Sequence, residues 1–228
     1  MRVIKIVITM MTFLSVQTQA EPVMTLLTIN TNNQEGYIDW ARKSADALAA
    51  ANGATAMGAC TPRAGAEYQG DLYFWTFHES QAAAWKSDAN SPAVRREVSK
   101  MNVDRKIREW DTYRIVKPGK TMFSKSFAWN VIVNTVDVRG YVSSVQNIEK
   151  AMNSKGFEDV EFQVFVADSG RRAGKVMTSM AAASAERLGA ALDIRTEDWF
   201  VDELSKLEFV RDYEHAWGLE CETFFGAG

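Results

Sequence analysis

Glu35–Lys43 reads EGYIDWARK, and Arg139–Asn147 opens the same way, RGYVSSVQN. Each follows an apolar run that ends in Asn and Thr, VMTLLTINT before the first and FAWNVIVNT before the second, and each begins a helical pattern. Gly36 and Gly140 are 104 positions apart, and so are Gly70 and Gly174. A spacing that recurs at two landmarks is the sign of a supersecondary unit written twice.

Outward from EGYIDWARK, Tyr37, Trp40, Ala41, Ala45 and Leu48 recur at helical spacing, predicting a helix from about Gln34 to Ala51 that Gly53 stops in the left-handed region. Two strands follow, TAMGACT and DLYFWTF, around the turn-rich PRAGAEYQG. A helical region over 80–110 is broken at NSP, where Ser91 caps and Pro92 takes the first helical position. TYRIV is a last strand and KPGK a linker. The second half keeps the order: strand FAWNVIVNT, a helix over 140–153, strands VEFQVFVA and KVMTSMAA around DSGRRAG, a helical region over 184–209 re-capped at Thr196, and the strand YEHAWGLECETFF.

Each half is therefore β-α-β-β-α-β, a ferredoxin-like unit whose sheet has helices on one face only. In DLYFWTF, Leu72 and Phe74 point one way and Tyr73, Trp75 and Phe77 the other, so both faces need cover. The expected fold is α+β: two tandem units, residues 21–119 and 120–228, whose sheets stack face to face and close a single-chain barrel. The unit is repeated because one half cannot bury its own sheet.

Residues 1–20 stand apart. Arg2 and Lys5 precede an apolar run from Ile6 to Leu14, and VQTQA places small residues before a cut after Ala20, the layout of a cleaved secretory signal. A short membrane anchor is the other reading; the run is short against about 30 Å of hydrocarbon. The expectation is a periplasmic or secreted protein without stable membrane insertion. Without Arg2 and Lys5, 24 of the 26 basic residues remain against 29 acidic ones. They are interspersed with no basic stripe, which speaks against nucleic acid as a partner. Cys60 and Cys221 permit one disulfide in an oxidising compartment, or two buried thiols.

The run HESQAAAWKSDANSPAVRREV after an aromatic-rich strand resembles the dimeric α/β-barrel superfamily, specifically the antibiotic-biosynthesis-monooxygenase-like domains. Most of those pair two chains, whereas this chain carries both halves. The resemblance implies cofactor-free oxygenases, haem-degrading enzymes, isomerases or members without activity, and so bears on fold more than function. In the haem-degrading members an Asn on the first strand, a Trp at the end of the third and a His on the second helix serve haem. Asn30 falls at the first position, with Asn134 its counterpart, but His78 replaces the Trp and the helical region over 80–110 has no histidine. No haem or other cofactor is expected. The family's sheet order also puts Cys60 and Cys221 on edge strands that meet where the halves close, so a disulfide there would lock them together.

The chain has two histidines. His78, replaced by Ala182 in the other half, is either a polar group at the barrel mouth able to move a proton or a backbone-bonded residue at a helix start. His215 alternates with Tyr213, Trp217 and Leu219 on a mostly apolar face. Asn30 and Asn134 interrupt apolar strands and either bond neighbouring strands or line a pocket. Trp75 is a lumen wall or a core filler. Phosphate loops, Cys-x-x-Cys, paired-His metal spacing and nucleophile elbows are missing from the sequence, so no metal is expected and no catalytic set is assigned. The sequence points to a small apolar or aromatic ligand inside the barrel, held near His78, Asn30, Asn134, His215 and Trp75, with cofactor-independent monooxygenase-like chemistry. The alternative is a non-catalytic exported protein with a filled barrel and a structural or interaction role.

Overall fold

The computed structural model describes residues 20–207 and 211–226. Residues 1–19, where the expected secretory signal falls, lie outside the described residues. Strands β1 (Val23–Asn30), β2 (Ala56–Ala64), β3 (Asp71–His78) and β4 (Lys106–Lys117) come from the first half, with helices α1 (Gln34–Asn52), α2 (Gln81–Lys86) and α3 (Pro92–Val98). The second half supplies β5 (Lys125–Asn134), α4 (Val138–Asn153), β6 (Glu161–Ser169), β7 (Val176–Ala182), α5 (Ala185–Asp193), α6 (Asp198–Ser205) and β8 (Asp212–Phe225).

The repeated opening has a local cause. Asn33 Oδ1 accepts from Gly36 N at 2.9 Å, and 104 positions on Asp137 Oδ1 accepts from Gly140 N at 2.9 Å. Both helices are capped by the side chain three residues before the glycine, an interaction worth about 1 kcal/mol. A Cβ at Gly36 would come within 2.5 Å of Asn33 Nδ2, and one at Gly140 within 2.3 Å of Asp137 Oδ2. Glycine at this place makes room for the cap.

The strands form one closed barrel in the order β1-β3-β2-β8-β5-β7-β6-β4, every neighbouring pair antiparallel. Two four-stranded sheets, one per half, are thus zipped along β2–β8 and β4–β6, as expected from the pattern. Closure leaves no strand edge open. Cys60 stands opposite Cys221 in the β2–β8 register, and the two sulfurs are bonded.

Alternation sorts the side chains into three cores. Tyr73, Trp75, Trp217, Phe165, Met24 and Met177 meet inside the barrel. Leu72 and Phe74 pack outward with Ile29, Tyr37 and Trp40 under α1 and α3. Val164, Met180, Tyr141 and Phe200 do the same under α4 and α6.

Ser91 Oγ accepts from Val94 N at 3.3 Å with Pro92 in the first turn, and Gly53 takes the left-handed cap at φ 62°. Two expectations are corrected. The helical region over 80–110 ends at Val98, and β4 begins at Lys106, because Ile107 and Trp110 pair with Ile29 and Leu27 of β1. A continuous ladder there outweighs the helical periodicity of so short a run. Thr196 caps nothing: it closes a short 3-10 turn, and α6 starts after Glu197 without a side-chain cap.

Candidate functional site

Two compartments invite a ligand, one on each face of the first half's sheet: the barrel lumen, shared with the second half, and a groove under the first half's helices. The lumen cavity measures about 100 Å³ and is walled by Tyr73, Trp75, Phe165 and Trp217. Large side chains occupy most of the barrel interior; Trp75 lies over the backbone of Gly58, where a Cβ would be 2.3 Å from its Cζ2 atom. One end of the barrel is closed by charge. Glu67 bridges Arg171, Arg172 and Arg108, Asp71 is fully buried against Arg108, and Arg172 lies over the Trp217 ring at 5.2 Å. Burial pushes the pKa of Asp111, beside this network, upward; Glu109 adds to that push, while Arg172 opposes it.

On the other face, between sheet and helices, lies a groove of about 390 Å³. Its floor is the outer face of the sheet: Thr25 and Leu27 of β1, Phe74, Thr76 and His78 of β3, and Ile107 and Trp110 of β4. Its roof is Tyr37, Trp40, Leu48 and Asn52 of α1 with Val94, Arg95 and Val98 of α3. Trp40 is fixed by donating Nε1–H to the Glu97 carbonyl at 2.9 Å, and the Tyr37 ring meets Trp40 and Phe74 edge-on. The walls are rigid, aromatic and apolar, as small-molecule sites are.

Two polar atoms break that lining. His78 Nδ1 and Asn52 Oδ1 are buried and have no hydrogen-bond partner among the described residues. Burial pushes the His78 pKa down, against a hydrogen bond to the Gly53 backbone. The neutral ring has one N–H and one acceptor nitrogen, and with the proton on Nε2 the acceptor is Nδ1. In that tautomer both unpaired atoms accept. At the far end of α1, Tyr37 is pushed up to about 12 by burial, which outweighs the charge and hydrogen bond of Arg105.

The five residues singled out from sequence do not share a cavity. Trp75 is in the lumen wall, and His215 lies on the lumen side with its ring 5.0 Å from Trp217. Asn30 is a turn staple, donating to Gln69 O at 2.9 Å and Asp71 Oδ1 at 2.8 Å. Asn134 is exposed at the end of β5. His78, expected at the barrel mouth, is instead 2% exposed on the helix-facing side. The reason is parity: it lies in step with Leu72, Phe74 and Thr76, which face the helices. That alternation was readable in the sequence; the contribution of Asn52, at the end of a long helix, carried no such signal.

The second half has the corresponding groove in reduced form, about 150 Å³. Tyr141 matches Tyr37 in the repeat, but its hydroxyl is 2.8 Å from Thr178 Oγ1, and Phe200, Leu204 and Leu207 fill the space. Met180 and Ala182 stand where the first half has Thr76 and His78. In the first groove α2 and α3 offer no histidine, and the Tyr37 hydroxyl is engaged by Arg105 at 3.3 Å. Among the described residues no cluster of His, Cys, Asp and Glu is arranged to hold a metal, and no helix is long and apolar enough to cross a membrane.

No family model matches the sequence, and no curated protein does. Solved structures do. A provisionally named monooxygenase from Lactobacillus acidophilus superposes with a TM-score of 0.60 at 10% identity, over 90% of this chain and 94% of that one. An anthrone oxidase-like protein gives 0.54 at 9% identity, over 90% and 92%. A heme-binding protein from Thermus thermophilus gives 0.50 at 7%, over 88% and 91%. At such identities the likeness establishes the fold, the dimeric α/β barrel, here built from one chain.

Proposed function

We propose that the protein binds a small, largely aromatic molecule in the sheet–helix groove of its first half. The observation that carries this reading is the pair of buried acceptors, His78 Nδ1 and Asn52 Oδ1, unpaired in an apolar cavity of about 390 Å³. An unmet buried acceptor costs about 1–3 kcal/mol, and a ligand with hydroxyl or N–H donors relieves that cost. The leader-like residues 1–20 and the Cys60–Cys221 bond support export to an oxidising compartment.

A second reading, a cofactor-independent monooxygenase-like enzyme, is favoured by His78. A neutral imidazole with a free acceptor nitrogen is placed to take the proton of a bound phenol, the step that makes such a ring electron-rich. The names of the Lactobacillus and anthrone oxidase-like neighbours support the same chemistry. The filled-barrel alternative keeps its support for the lumen, where Trp75, Trp217 and Phe165 leave about 100 Å³.

Native mass spectrometry of residues 21–228 against a panel of hydroxylated aromatic compounds tests the binding reading. One adduct per chain is expected, lost in Val98→Trp, which fills the groove from α3. A bare mass with every compound overturns it.

A further inference from the structure

The groove is asymmetric along its length. Its acceptors sit at the Asn52 end of α1, and Tyr37, where Arg105 enters, is about 22 Å away by the helical rise. The Arg105 guanidinium is half-buried, donates to Tyr37 Oη at 3.3 Å, and lies 5.8 Å from both the Tyr37 and Trp40 ring centroids. It forms no ion pair among the described residues, although eight other arginines do. Arg95 lines the same cavity from α3, also without a carboxylate among the described residues.

A planar guanidinium held beside two aromatic rings, with donors left over, is suited to a carboxylate. A cation in a partly desolvated aromatic cavity attracts an anion more strongly than the same pair does in water. Extending the proposed function, on which it rests, we infer that the ligand is an aromatic acid. Its hydroxyl end lies at His78 and Asn52, and its carboxylate at Arg105. The two ends fix the ligand's direction, and Arg105 is the residue that sets the preference for an acid over a neutral analogue.

Isothermal titration with 4″-hydroxy-p-terphenyl-4-carboxylate, long enough to reach both ends, and its methyl ester tests this. The pair shares ring and hydroxyl and differs in charge. The wild-type chain is expected to bind the acid about tenfold more tightly than the ester. Arg105→Gln is expected to abolish that preference, so that acid and ester bind alike, and Arg105→Lys to restore part of it. Equal binding of acid and ester by the wild type leaves the groove reading standing and overturns the acid inference. So does a preference that survives Arg105→Gln. Binding of neither probe overturns both.

Discussion

Glu67 and Arg171 form an ion pair at the end of the barrel, and they are the same position of the two repeats, 104 residues apart. In two identical halves that position would meet its own copy across the barrel axis, like charge against like. Here one half carries the anion and the other the cation. The halves are complementary, and a pair of first halves would set two glutamates against each other.

Glu67 also compensates Arg108 and Arg172, the latter almost wholly buried. Burial raises the Glu67 pKa, but the three arginines overcome that and hold it below the usual range. Glu67→Gln should therefore destabilise the fold by about 1–3 kcal/mol, since it weakens a network in which Glu109 still faces Arg171 and Arg172 and Asp71 still holds Arg108. Urea unfolding measures it; a loss below about 0.5 kcal/mol would mean that the arginines are solvated.

The Cys60–Cys221 bond spans a separation of 161 residues and ties the two halves at the β2–β8 seam. Cys60→Ser with Cys221→Ser should lower stability by about 2–4 kcal/mol. Thermal melts with and without dithiothreitol should show the same drop in the wild type and none in the double variant.

His78 titrates below its ordinary value in the folded chain because burial disfavours the imidazolium. The unfolded chain then binds more protons than the folded one as pH falls below about 6.5, and stability is lost in that direction. Above that pH the ring is neutral in both states and contributes nothing to the slope. Urea midpoints for the wild type should fall between pH 7.5 and pH 5 more steeply than those of His78→Gln. Parallel slopes would place a solvated histidine at this position.

Gly58 lies under Trp75, and a Cβ there would be 2.3 Å from both the indole and the Glu222 carbonyl. Gly58→Ala should cost about 1–3 kcal/mol through overpacking of the lumen wall. Ligand affinity should not change, because Trp75 faces the lumen and the groove lies on the other side of the sheet.

The fold was legible because it is written twice: the glycines at 36 and 140 hold the caps of equivalent helices, and the alternation in Asp71–Phe77 demands cover on both faces. The site was less so. His78 drew notice as a rare residue, but its side of the sheet follows from counting outward from Phe74, and without that count it reads as a lumen group. Asn52 at the end of α1 and Arg105 just before β4 meet the same groove only through the packing of α1 on the sheet, a tertiary fact that no local pattern carries. Asn30, open in the sequence between bonding a neighbouring strand and lining a pocket, holds the turn before β3.

The chain's two histidines allow a direct test of where the ligand binds, since His78 faces the groove and His215 the lumen side. Nitrogen-15 NMR of histidine-labelled protein, titrated with 4″-hydroxy-p-terphenyl-4-carboxylate, reads both compartments at once. The account predicts that the His78 Nδ1 resonance moves as it accepts the ligand's hydroxyl proton in a hydrogen bond, with His215 unchanged. A shift at His215 with His78 unmoved would put the ligand in the barrel and contradict it.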